Sequence, residues 1–161
     1  MLSPLSNAPI RTGAGFRFVV VASRYNAKFV DSMVDLAVTT LKEAKADAVD
    51  VIRVPGAWEI PVAASVVALG ENAPDAILCL GLLIQGETTH AQHIGHSVST
   101  ALMQLAMDTG IPVIHEVLTV TSEAQAIVRC LDPKTNRGIE AARTALEMVH
   151  VLADVDATEE N

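Results

Sequence analysis

Asp75-Ala76-Ile77-Leu78-Cys79-Leu80-Gly81-Leu82-Leu83 carries no polar side chain after its first position. A strand with one face in water alternates apolar and polar residues, whereas a strand covered on both faces by helices reads as unbroken apolar sequence. The run therefore predicts a central strand of a parallel sheet, and the flanking segments must supply its neighbours and the crossover helices. Downstream, a helix begins near Thr88 or Thr89 and runs to about Thr109, where Gly110 suits a left-handed cap and Pro112 forbids continuation. Val113 to Leu118 reads as the next strand. Ser122-Glu123-Ala124-Gln125 has the form of a capping box opening a short helix that ends near Arg129. Leu131 to Asn136 reads as a loop and Gly138 to Leu152 as a last amphipathic helix.

Upstream, Glu59 to Leu69 is an Ala/Val-rich helix set off by the Pro55-Gly56 break, and Val49 to Val54 is a strand. Lys28 to Ala46 is a helix with Phe29, Met33, Leu36, Ala37 and Leu41 near one face, and Phe16 to Ala22 is the first strand. Strands alternating with helices predict an α/β fold, an open three-layer sandwich around a four-stranded parallel sheet. One domain is expected over 16–154, after a flexible arm over 1–15 and before an acidic tail, frayed from about Asp154, over 155–161.

Composition limits what this fold can serve. Half of the 161 residues are hydrophobic but only 3% are aromatic, so Ala, Val, Leu and Ile must build the core. The formal charge of -8, with no basic run interleaved with aromatics, argues against nucleic acid as a partner. Cys79 and Cys130 have neither metal-ligand spacing nor a disulfide framework, which fits a reducing compartment. The segment from Met1 to Gly15 has no continuous apolar stretch, so neither a signal peptide nor a membrane span is read there. A cytoplasmic location is expected, with no membrane partner.

In sheets of this kind ligands sit beyond the carboxyl ends of the strands, so the segments after each strand are the places to look. Ser23-Arg24-Tyr25-Asn26 puts the only tyrosine at a strand end, where it either stacks on a heterocycle or plugs the sheet. In Val54-Pro55-Gly56-Ala57-Trp58-Glu59-Ile60-Pro61, Glu59 falls in a first helical turn, as a cap or as a grip on ligand hydroxyls. Gly81-Leu82-Leu83-Ile84-Gln85-Gly86-Glu87-Thr88-Thr89-His90 has the glycine spacing of a nucleotide-binding P-loop, but Glu87 stands where that loop requires lysine. What remains is a helix start whose free amides can hold a single phosphate, with His90 either structural or in place to pass protons. His90, His93 and His96 drift around a helix at three-residue steps, with no accompanying ligand motif, so no metal site is expected. Arg129 and Arg137 flank the 131–136 loop, as solvated surface or as completion of a phosphate site.

Taken in order, these segments resemble the lumazine synthase family. Ser23-Arg24-Tyr25-Asn26 is similar to its S-R-(F/W/Y)-N motif, Val54 to Pro61 to V-P-G-A-(F/W/Y)-E-(I/L)-P, and Ile84 to His90 to I-(R/K)-G-x-T-x-H. Asp108 to Ile114 and Glu123 to Ala126 follow the later family pattern, so the likeness runs from about Phe16 to Leu152. The resemblance implies a flavodoxin-like sheet and an enzyme of riboflavin biosynthesis without metal or redox cofactor. Its small-molecule substrates would be 5-amino-6-(D-ribitylamino)uracil and 3,4-dihydroxy-2-butanone 4-phosphate. It further implies that Tyr25 stacks on the pyrimidine, that Ala57, Trp58 and Glu59 hold the ring and the ribityl chain, and that Leu82, Leu83 and Ile84 add backbone contacts. Glu87 and Thr88 would bind phosphate through helix amides, with Arg129 pairing to it and Arg137 near by, while His90 shuttles protons. The family's site lies between subunits of a pentamer, sometimes assembled into a 60-subunit capsid, so the segments around His115 and Arg129 would come from a neighbour.

The chain departs from the family in three places. His115 stands for a phenylalanine, which puts a polar wall against the pyrimidine; Ala91-Gln92-His93 replaces an aromatic-acidic-aromatic run; and Arg137 replaces a lysine. Other readings of the pocket are an archaeal-type riboflavin synthase, a flavin- or lumazine-binding protein without turnover, and a shell protein.

Overall fold

The computed structural model describes residues 9–159 of the chain. The two most apolar runs become the two inner strands: Arg17–Ser23 (β1) lies beside Ala76–Ile84 (β3), flanked by Ala48–Val54 (β2) and Val113–Val120 (β4) in the order β2-β1-β3-β4. All three pairings are parallel. The crossover helices are α1 (Ala27–Glu43), α2 (Ile60–Ala68) and α3 (His90–Thr109), and α4 (Glu123–Cys130) and α5 (Arg137–Glu159) complete the chain.

Side-chain alternation along the inner strands divides the interior in two. Phe18, Val20, Leu78 and Leu80 point to one face, where they bury Met33 and Leu41 of α1 and Leu146 of α5. Val19, Val21, Ile77 and Cys79 point to the other, against Ile60 and Ala64 of α2 and Val98 and Leu102 of α3. The unbroken apolar sequence of β3 thus reflects helices on both sides, and the expected three-layer α/β sandwich with a four-stranded parallel sheet is what the chain forms.

Element ends differ from expectation for local reasons. α1 stops at Glu43 rather than Ala46 because Lys45 turns left-handed at φ 67°. The Lys45 amide then donates to Lys42 O (2.9 Å) and the Ala46 amide to Leu41 O (3.1 Å), a Schellman closure made without glycine. Glu59 belongs to a 3-10 turn over Ala57–Glu59, and the α-helix proper begins at Ile60. β4 runs two residues past Leu118. Ser122 accepts from the Gln125 amide as a cap should, but the Gln125 side chain reaches one residue further back, to the Thr121 amide at 2.9 Å.

α5 continues to Glu159, so the acidic segment expected to fray from Asp154 is helical over its described part. Of the arm expected over 1–15, residues 1–8 lie outside the described residues, as do residues 160 and 161. The rest is tied down: the Gly13 amide donates to Ala44 O at 2.6 Å and the Gly15 amide to Asp47 Oδ1 at 2.9 Å. His150 Nε2 donates to Thr12 O at 2.8 Å. No helix among the described residues is long and apolar enough to cross a membrane.

Candidate active site

β1 and β3 are neighbours whose outgoing chains diverge to opposite sides of the sheet, the arrangement that opens a crevice at strand carboxyl ends. Three turns meet there. After β1, the Arg24 amide donates to Val54 O (2.8 Å) and the Tyr25 amide to Pro55 O (3.1 Å), which binds the first turn to the second. Asn26 takes the left-handed conformation (φ 59°) that its short polar side chain tolerates. Its Nδ2 donates to Leu82 O at 2.8 Å, lashing the start of α1 to the end of β3.

After β2, a Cβ on Gly56 would meet the Tyr25 ring at 2.9 Å, so only glycine lets the ring lie this close to the turn. Glu59 Oε2 accepts the Gly56 amide at 2.8 Å, so the capping role considered for this carboxylate is realised, with Oε1 left over. After β3, the Gln85 amide donates to Val120 O at 2.8 Å, and Gly86 to Thr89 lead into α3.

The three turns enclose a cleft of about 280 Å³ lined by Tyr25 and Asn26, Ala57, Leu82 to Ile84, Gly86, Thr88, His90, Ala91 and Ile94. Seven expected residues are therefore brought together: Tyr25, Ala57, Leu82, Leu83, Ile84, Thr88 and His90. Trp58 and Glu59 follow Ala57 in the 3-10 turn without lining the cleft, and Glu87 sits between two lining residues. Tyr25 is 70% and Trp58 60% exposed, so these rings are open to a further surface. Asn26, Gly86, Ala91 and Ile94 also line the cleft and are not among the expected contact residues. Asn26 stands in the first motif; Ile94 follows His90 at a four-residue step, which a helical projection from His90 finds, and Ala91 lies three residues before Ile94 on a neighbouring stripe of α3.

The cleft lining holds no lysine or arginine. The amides of His90, Ala91 and Gln92 open the 20-residue α3 and have no partner within it. Thr89, the N-cap, does not bond these amides; its hydroxyl meets His93 Nε2 at 3.2 Å.

His115, Arg129 and Arg137 stand away from the cleft lining. On the edge strand β4, His115 points toward α3 and Glu116 toward α5. The Val117 amide donates to His115 Nδ1 (3.0 Å), so Nδ1 carries a lone pair and the proton sits on Nε2, which meets Ser99 Oγ at 2.6 Å. Ser99 passes its own hydrogen to Gly95 O (2.7 Å). Desolvation lowers the His115 pKa, in keeping with this neutral tautomer. The expected polar wall is thus a ring with both nitrogens already engaged.

Glu116 is buried and receives Arg137 in a two-pronged pair, Nε to Oε2 at 3.0 Å and Nη2 to Oε1 at 2.6 Å. Burial raises the Glu116 pKa and Arg137 opposes that rise, while the bond to Glu116 raises the Arg137 pKa. Arg129, in the last turn of α4, is exposed and near enough to act on the Glu116 carboxylate. Among the described residues, no three or more His, Cys, Asp or Glu side chains gather where they could hold a metal ion.

Comparison with known proteins bears on what such a cleft is for. A family model described as 6,7-dimethyl-8-ribityllumazine synthase matches residues 15–153. The chain is 44% identical over 142 residues to the 6,7-dimethyl-8-ribityllumazine synthase of Xylella fastidiosa (strain 9a5c), covering 86% of this chain and 91% of that one. It is 42% identical over 149 residues to that of Stenotrophomonas maltophilia (strain R551-3), covering 89% and 93%. It is also 42% identical over 138 residues to that of Xanthomonas campestris pv. campestris (strain B100), covering 84% and 89%. The motif-bearing turns that build the cleft, and a match along nearly the whole chain, make it a member of the 6,7-dimethyl-8-ribityllumazine synthase family.

Proposed function

We propose that the chain condenses 5-amino-6-(D-ribitylamino)uracil with 3,4-dihydroxy-2-butanone 4-phosphate to 6,7-dimethyl-8-ribityllumazine, releasing phosphate and water, in riboflavin biosynthesis. The observation that carries this reading is the convergence of Tyr25, Leu82 to Ile84, Thr88 and His90 on one cleft at the start of α3. An amine adds to the ketone and loses water to give an imine, phosphate is eliminated, the ring closes on the remaining carbonyl and a second water is lost. Such steps need alignment, proton transfer and a hold on the leaving phosphate, and they use neither metal nor redox cofactor.

The exposed Tyr25 ring offers a stacking face for the pyrimidine. Ala57, Trp58 and the free Oε1 of Glu59 serve the ring and the ribityl hydroxyls, and the Leu82, Leu83 and Ile84 backbone edges the uracil. Glu87 and Thr88 lie at the phosphate end, where the α3 amides face the charge, and His90 moves the protons.

A cleft without a cation fits a site completed by a second copy. Arg129, away from its own cleft, is then the neighbour's phosphate ligand, and His115 of the neighbour walls the pyrimidine. Arg137 acts through Glu116 rather than by reaching the anion. A pentamer, or a 60-subunit capsid built of pentamers, supplies that neighbour, and the reaction belongs in the cytoplasm.

The test is lumazine formation from the two purified substrates, with and without chelator. Turnover is expected in both. His90→Ala should slow it by about tenfold to a thousandfold with substrate affinity little changed. Binding of lumazine without turnover in the wild type would leave the family's fold and lose its chemistry.

A further inference from the structure

Gln85 stands in the position where the family motif has arginine or lysine, and the structure gives its side chain a task that charge does not explain. Its backbone is pinned, the amide donating to Val120 O at 2.8 Å. From that fixed point the carboxamide reaches across Gly86 and Glu87, and Nε2 donates to Thr88 O at 2.6 Å. Gly86 has nothing within 4 Å of where a Cβ would stand, so no packing holds the turn from that residue. The carboxamide Oε1 is buried with no hydrogen-bond partner. A buried acceptor left unpaired is unfavourable, so what this side chain contributes is the donor.

We propose that Gln85 is a positioning residue, a strut that presets the 86–89 turn so that the amides opening α3 are aimed before the phosphate of the substrate arrives. In a trans peptide the C=O and the following N–H point in opposite directions. Holding Thr88 O toward Gln85 therefore fixes the direction of the Thr89 amide, the last before α3 begins at His90. Gln, Arg and Lys share one feature relevant to this task, an N–H donor at the end of a long stem. Arginine Nε is as many bonds from Cα as glutamine Nε2. The inference rests on the proposed reaction for its kinetic consequence but not for its structural one.

The experiment compares wild type with Q85M, Q85E and Q85R. Methionine keeps the length and removes both the donor and the orphan acceptor, so it is not expected to unfold the chain. Glutamate sets an acceptor against the Thr88 carbonyl. The affinity of the ligand-free protein for inorganic phosphate should fall about five- to tenfold in Q85M and at least as much in Q85E, the scale of one lost hydrogen bond. KM for the sugar phosphate should rise by a similar factor while KM for the pyrimidine and kcat stay within about twofold. Q85R should restore phosphate binding, with a sugar-phosphate KM no higher than that of wild type. Unchanged phosphate affinity and KM in Q85M would overturn the strut. Equal losses for both substrates would overturn its assignment to the phosphate end. If wild type makes no lumazine yet phosphate affinity falls in Q85M, the reaction is wrong and the strut stands.

Discussion

The two faces of the sheet are finished to different degrees. On the α1/α5 side, a Cβ on Gly138 would stand 2.0 Å from Met33 O, so the two helices meet backbone to backbone. On the α2/α3 side the inward residues are as well buried, but the outward ones are apolar too: Val62, Val66 and Leu69 of α2 and its C-cap are 63%, 71% and 73% exposed, and Met103 and Met107 of α3 are also bare. A helix that is apolar all round belongs inside something. The first face is locked by backbone contact within one chain, with Ile127 and Val128 of α4 and Val151 and Val155 of α5 41–52% exposed, whereas the second bares more of each apolar side chain and presents a surface suited to contact with other copies, on the same side as the helix that carries His90.

The comparison can be broken most forcefully at its tightest point. Gly138→Ala should cost about 3 kcal/mol or more, because the clash is with backbone and cannot be relieved by a rotamer. Urea denaturation of the purified variant, or its loss from the soluble fraction, reads the effect; a near-neutral result would mean that α1 and α5 are not locked together.

On the open face, His115 gives a pH test. Its folded pKa lies below the reference of 6.5, so above 6.5 both folded and unfolded forms are neutral and the stability is fully present. As pH falls through the folded value, protonation must break the Val117 amide bond to Nδ1 and stability is lost. Wild type should therefore weaken relative to His115→Phe as pH is lowered from 6.5, read as the difference between their urea midpoints. Parallel curves would remove the tautomer assignment.

The closed face still has room to improve at one place, the left-handed Lys45. Lys45→Gly should stabilise by roughly 0.5–1 kcal/mol, since glycine adopts φ 67° without the Cβ penalty that lysine bears. The smallest effect on the chain's own stability, within about 0.5 kcal/mol, is expected for Val66→Ser with Leu69→Ser on the open face. Their mass in solution should nonetheless fall if that face is an interface. Unchanged mass would assign the assembly to another surface.

All four strands and the layer order were legible: β1 and β3 because a strand buried on both faces has a sequence that little else produces, and the edge strands β2 and β4 because short β-branched runs stand between helical segments. The end of α1 was not, since Lys45 occupies a conformation normally announced by glycine. The end of α5 was misread because acidic residues suggest solvation, and solvation is compatible with a helix. At the site, the residues that follow strands could be read directly: Tyr25, Leu82 to Ile84, Thr88 and His90. What could not be read was pairing across elements. The Asn26 bond to Leu82 O and the Glu116 grip on Arg137 depend on register and on which side of β4 each residue faces. Asn26 therefore stands in a motif without a role readable from it, and Arg137 reads as solvated surface or phosphate ligand while the structure holds it on a carboxylate of its own chain.

The contact between Gly138 and Met33 also constrains the order in which the molecule can be made. The two residues are roughly a hundred apart in sequence, and the cluster beneath α1 draws on Ala141, Ala142, Ala145 and Leu146. During synthesis α1 emerges early and stays half-clothed until the last helix has left the ribosome, a matter of seconds at the usual pace of translation. Met33, Val34, Ala37 and Leu41 are then the residues that a chaperone would meet on the nascent chain, and the arrival of α5 is the event that takes them out of reach.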